Sequence, residues 1–232
     1  MIETIVFDVD DTLYDQLGPF RTATLKLFPE QIKEGHIPKF YLSNRKYSDI
    51  AFDRAVRGEI TQRDLQIYRV KEACREFGFT IDDEKAMEFQ QTYVGAQKEI
   101  EVDPVMVKLL DKFLAQGKQL AVLTNGESNH QMMKIKQLRL NRWFPEENLF
   151  ISGSVGHAKP TIEIFNHLEN KLNLNKEKTM FIGDSFENDV VGAKNAGWKA
   201  IWLNRRQHPV PTNAFQADYT ISESSEVLNI FE

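Results

Sequence analysis

Thr4-Ile5-Val6-Phe7-Asp8-Val9-Asp10-Asp11-Thr12-Leu13 sets a short apolar run directly against a group of carboxylates. The run reads as a buried β-strand, and the aspartates fall where that strand ends. The pattern returns near the other end of the chain. Lys178-Thr179-Met180-Phe181-Ile182 reads as a second strand, followed by Gly183-Asp184-Ser185-Phe186-Glu187-Asn188-Asp189. Two carboxylate pairs at two strand ends gather negative charge, which is costly unless a cation sits among them. Hard oxygen ligands suit Mg²⁺.

Outward from these stretches, strands alternate with amphipathic segments. Gln119–Leu123, Lys199–Leu203 and the weaker Asn148–Ile151 read as further strands. Helices are expected over Pro104–Gln116, Ser128–Leu138, Thr161–Leu172 and Glu187–Ala196, with Pro104 suited to a first helical turn and Gly117 and Gly197 to helix ends. Alternation with short connections predicts an α/β fold: a Rossmann-like, doubly wound parallel sheet with its ligand site at the carboxyl ends of the strands. The stretch from about Asp15 to Glu101 contains no convincing strand. Tyr14–Phe28, Ile50–Arg57, Thr61–Phe77 and Asp82–Glu99 read as helices, Gly35–Ser43 as irregular. The expected organisation is a catalytic core of residues 1–14 and 102–232 with a helical cap domain, 15–101, inserted in it. A short closing helix is expected within Ser222–Glu232.

Of the 232 residues, 41% are hydrophobic and 27% charged, enough apolar material for a core. The net charge of −5 argues against nucleic-acid polymers as partners, which call for a basic face. It leaves room for a small phosphorylated metabolite met by a local cation. Cys74 is the single cysteine, so no intramolecular disulfide forms, and a reducing cytoplasm is expected. The acid-interrupted start lacks the features of a secretory signal, and no apolar run approaches the ~18 residues of a membrane span. The oligomeric state is not readable.

Chemistry follows from position. Asp8, at a strand end beside a metal, can attack phosphorus. Asp10, two residues on, can protonate the leaving oxygen and then deprotonate water. Asp11 and Asp15 fit solvated or helix-capping residues better. Leu123-Thr124-Asn125-Gly126 ends a strand before a helix, where a hydroxyl and backbone N–H groups form an anion site, with Thr124 and Asn125 on the phosphate; by itself the phrase also fits a plain Asn-Gly turn. Lys159 precedes the next helix and can hold both phosphate and nucleophile, offsetting repulsion that Mg²⁺ alone would leave. His157 fits a loop residue. Asp184 can reach the metal directly, and Asp189 can act through water or orient Lys159. Ser185 and Asn188 are polar supports.

Taken in this order, the motifs resemble the haloacid dehalogenase-like superfamily of hydrolases: Asp8-Val9-Asp10-Asp11-Thr12, Thr124, Lys159, and Gly183-Asp184-Ser185 with Asn188-Asp189. The resemblance runs the whole chain, including a helical cap of the C1 type after the first motif. Dehalogenases of this kind lack an acid two residues after the nucleophile, so Asp10 implies a Mg²⁺-dependent phosphatase working through an aspartyl phosphate. The resemblance also implies the metal ligands: the Asp8 side chain, the Asp10 backbone carbonyl and Asp184. Gly58-Glu59-Ile60-Thr61, Gly192-Ala193-Lys194-Asn195-Ala196-Gly197 and Trp202-Leu203-Asn204 resemble the pyrimidine 5′-nucleotidase branch, and similar phrases occur in sugar-phosphate and phosphoglycolate phosphatases. Phe20, Arg21, Arg54 and Arg57 are candidates to face the substrate, although helical spacing also makes Arg54 and Arg57 a solvated face. A β-phosphoglucomutase-like phosphomutase, or an idle binding module on the same fold, remains an alternative.

Overall fold

A computed structural model describes residues 1–212 and 215–231. The chain forms two compact units, Met1–Asp15 with Ile100–Glu232, and Gln16–Glu99. The first begins with β1 (Thr4–Phe7).

The second unit is helical: α1 (Leu17–Leu27), α2 (Ile37–Val56), α3 (Gln62–Glu76) and α4 (Asp83–Ala96). Thr61 and Asp64 start α3 with a reciprocal cap. The Asp64 N–H donates to the Thr61 hydroxyl at 3.1 Å, and the Thr61 N–H to the Asp64 carboxylate at 2.9 Å. The interior is aromatic, with Phe28 stacked on Phe89 at 5.4 Å and Phe20 edge-on to both Tyr41 and Phe89 at 5.2 Å. The stretch expected to be irregular, Gly35–Ser43, is mostly helix. Pro38 lies in the first turn of α2, where a missing N–H costs nothing, and Ile37, Phe40, Tyr41 and Asn44 form a buried stripe. Phe20 is buried in this core, while Arg54 and Arg57 are exposed and pair with Glu59. The cysteine is buried too, which pushes the Cys74 thiol up to about 12.

The other unit continues through α5 (Pro104–Ala115), β2 (Gln119–Thr124), α6 (Ser128–Gln137), β3 (Leu149–Ile151) and α7 (Ser152–Val155). Then come α8 (Ile162–Leu172), β4 (Thr179–Gly183), a π-helical turn (Phe186–Val191), α9 (Gly192–Asn195), β5 (Lys199–Leu203), β6 (Tyr219–Ile221) and α10 (Ser225–Ile230). The expected strands are all present. β6, short and polar, was not anticipated. The helix expected over Glu187–Ala196 is a π turn running into α9. Glu232, in the expected closing helix, lies outside the described residues.

The sheet is parallel throughout, in the order β3-β2-β1-β4-β5-β6. Strand alternation sends Ile5, Phe7, Val122 and Ile182 to one face, where α5, α6 and α10 supply Leu109, Ile135 and Val227. Val6, Leu123, Phe181 and Trp202 point to the other face, against Phe165 of α8 and Ala193 of α9. Both faces are covered, as a doubly wound sheet requires. The order reverses at β1, so the crevice for a ligand opens at the carboxyl ends of β1 and β4. Asp8 and Asp184 immediately follow those strands.

Asp103 anchors the start of α5. Its carboxylate accepts from the Val105 N–H at 2.9 Å, the Ser224 hydroxyl at 2.8 Å and Arg205 at 3.3 Å. Burial alone would raise its carboxyl, but these donors hold it below the usual range. Among the described residues no helix is long and apolar enough to cross a membrane.

Candidate active site

Parallel pairing fixes the Asp8 backbone, whose N–H donates to the Ile182 carbonyl at 3.0 Å. The residue is 6% exposed, and Oδ1 accepts from Lys159 Nζ at 2.8 Å. Lys159, 3% exposed, also donates to Asp189 Oδ1 at 2.6 Å and lies 5.0 Å from the Phe181 ring centre. Burial would lower the lysine, yet Asp189 and Asp8 hold its ammonium well above the usual range. Burial pushes the Asp8 carboxyl up to about 6; Lys159 pulls against that, while Asp189 and Asp10 add to it.

The loop after β4 is built around Asp189. Its Oδ2 accepts from the Ser185 N–H at 2.9 Å, and the Ser185 hydroxyl accepts from the Asn188 N–H at 3.3 Å. A Cβ at Gly183 would collide with the Asp189 carboxylate, which explains the glycine there. Behind the loop, the Trp202 indole donates to the Asp184 carbonyl at 2.8 Å and packs edge-on against Phe186.

One carboxylate oxygen from each of Asp8, Asp184 and Asp189 lies within 4.8 Å of the other two. This all-oxygen donor set fits Mg²⁺. The cluster takes in Asp189, expected to act through water or on Lys159, and the structure puts it on Lys159 as well.

Thr124, 1% exposed, ends β2 with its buried hydroxyl, among the described residues, without a hydrogen-bond partner. An orphaned buried hydroxyl at a strand end suits an anion's oxygen. Asn125 is committed elsewhere. Its amide donates to the Lys159 carbonyl and accepts from the Lys159 N–H, both at 2.9 Å. Its side chain therefore clamps the lysine backbone.

The Asp10 carboxylate turns to α6. Lys134 Nζ donates to its two oxygens at 2.5 and 2.7 Å, Gln131 at 2.9 Å and Tyr14 at 2.5 Å. Burial would raise Asp10, but Lys134 first, then Gln131 and Tyr14, hold it well below the usual carboxylate range. Sequence reasoning missed Lys134 and Gln131; their one signal is i, i+3 spacing on a helix that follows a strand, which surface residues share. Asp11 overturns its expectation: it is buried and paired with Arg206 at 2.5 Å, while exposed Asp15 also meets Arg206. His157 is exposed, as a loop residue would be.

The sequence profile of the haloacid dehalogenase-like hydrolases matches residues 2–197. The chain belongs to that family. The Bacillus subtilis HAD-hydrolase YfnB is 26% identical over 98% of this chain and 95% of its own length. Its magnesium-bound crystal structure aligns over 100% of this chain and 99% of that one, with a TM-score of 0.75 and 22% identity. The glyceraldehyde 3-phosphate phosphatase of Pyrococcus furiosus is 26% identical over all of this chain and 93% of its own length. The pyrimidine 5′-nucleotidase YjjG of Escherichia coli is 31% identical over 59% of this chain and 60% of its own. Haloacid dehalogenases share the fold at about the same structural similarity.

Proposed function

We propose that this hydrolase is a Mg²⁺-dependent phosphatase acting on a small phosphate monoester, a nucleoside 5′-monophosphate or a sugar phosphate, through an aspartyl phosphate on Asp8. The observation that carries the reading is Lys159, buried between Asp8 and Asp189. It joins a nucleophile to a cation that can also receive phosphate, and Thr124 and the Asn125 N–H supply further donors. Asp8 attacks phosphorus as the ester P–O bond breaks, and the leaving oxygen takes a proton from Asp10, whose carboxyl the negative charge of the bound phosphate raises from its low value beside Lys134. Water then attacks phosphorus and gives a proton to Asp10. The bond from Asp8 breaks, restoring the carboxylate and releasing inorganic phosphate. The proton gained in that step serves the next leaving group.

The side chains of Asp8, Asp184 and Asp189, with the Asp10 carbonyl, would hold Mg²⁺, which when bound neutralises charge on the transferring phosphoryl group. Ser185 and Asn188 keep Asp189 in place. Gln16–Glu99 acts as the substrate-selecting cap, and the enzyme works in the cytoplasm. The magnesium named with the YfnB structure supports the metal, and the phosphatase names of the relatives support the substrate class. Asp10 favours phosphate over a carbon–halogen bond, because a departing halide needs no proton.

Purified protein is expected to hydrolyse p-nitrophenyl phosphate with Mg²⁺, and Asp8→Asn to abolish turnover while retaining the fold by circular dichroism. Undiminished activity in Asp8→Asn, or in EDTA, overturns the mechanism. A screen over nucleoside monophosphates, sugar phosphates and small acid phosphates then identifies the substrate.

A further inference from the structure

Lys134 is 1% exposed on α6, and lysine is among the residues least often buried. Its Nζ spans both oxygens of Asp10, which lies 124 residues earlier in the chain. Gln131, one helical turn before it, gives its amide to the same carboxylate at 2.9 Å and to the Asn125 carbonyl at 2.8 Å. The Gln131 side chain also fills the space a Cβ on Gly126 would need. One face of α6 therefore joins the Thr124–Gly126 loop to the carboxylate of Asp10.

We infer that Lys134 and Gln131 are positioning residues that orient Asp10 and hold it in register with the phosphate loop. The inference rests on the phosphatase reading and extends it, because neither side chain is needed at phosphorus. A carboxylate free to rotate through its rotamers meets the leaving oxygen or the water in only a fraction of encounters; Lys134 and Gln131 on α6, with the Tyr14 hydroxyl at 2.5 Å on the other side, remove that freedom. Lys134 supplies the counter-charge and Gln131 the direction. Losing Lys134 leaves Asp10 partly buried without its cation, so the carboxylate drifts toward solvent or other donors.

The test is a double-mutant cycle of Lys134→Met with Asp10→Asn, with Lys134→Arg and Gln131→Met alongside, on an aryl phosphate and on glycerol phosphate. Lys134→Met is expected to cut kcat by about 10²-fold, the lower end for losing one acid–base group, with KM moving less. Lys134→Arg recovers part of the loss. In the Asp10→Asn background Lys134→Met adds nothing further. The loss is larger for glycerol phosphate, whose alkoxide needs a proton, than for the aryl ester. Multiplying losses in the double variant, or equal losses on both esters, overturn the inference. Should Lys134→Met fail to fold, Gln131→Met and Lys134→Arg are compared across the two esters with the same criterion. A wild-type protein inactive on every phosphate ester overturns the phosphatase reading and this inference with it, whereas an active wild type with additive variants overturns this inference alone.

Discussion

At the scale of single residues, the site depends on close approach as much as on charge. Gly183 has no side chain because the Asp189 carboxylate occupies that space. Gly183→Ala is therefore expected to push Asp189 off Lys159 and to destabilise the protein by about 1–3 kcal/mol, the usual cost of overpacking. Turnover should fall with it. Denaturant titration and steady-state kinetics check this; a variant matching wild type in both would mean the loop after β4 yields freely. Much of the candidate site was legible at this scale. Asp8, Thr124, Lys159 and Asp184 each stand at the end of a readable apolar run or before a readable helix, so strand-end logic singled them out as candidates. Lys134 was not legible. Its contact is with a residue 124 positions away, and a local pattern carries no information about what lies opposite.

At the scale of elements, α5 shows how a helix start is tied to distant chain. Asp103 caps the helix and gathers Ser224 and Arg205. Its carboxyl is lower in the fold than in the unfolded chain, so the ionised form is the one stabilised. That contribution is fully present above the unfolded value near 4 and disappears as pH falls through the lower folded value. Asp103→Asn should cost about 1 kcal/mol at pH 7, with the difference from wild type shrinking below about pH 4. Urea unfolding at both pH values tests the sign; a gap that widens in acid would refute it. Element boundaries were legible where apolar periodicity was clean, as in β5, read residue for residue. Pro38 hid the start of α2, because a proline reads as a break until its place in the first turn is known. β6 was hidden by length: three residues, two of them exposed, leave almost no pattern.

At the scale of the whole molecule, a cation held by Asp8, Asp184 and Asp189 would stabilise only the folded state. Mg²⁺ at a hundredfold excess over its dissociation constant should add roughly 2.7 kcal/mol, seen as a higher melting temperature that EDTA reverses. Asp184→Asn should abolish most of that gain, and an unchanged melting temperature with and without Mg²⁺ would argue against the metal site. The order of the strands has a consequence for how the protein is made. β1 lies between β2 and β4, and Thr4 pairs with Gln119 on one side and Thr179 on the other. On a ribosome adding roughly 5–20 residues per second, an apolar strand of the nascent chain waits on the order of 10–35 s for its second neighbour. Gln16–Glu99 is complete long before then. Until β4 is made, the strand that leads to Asp8 can pair only along its β2 side, and its other edge stays exposed.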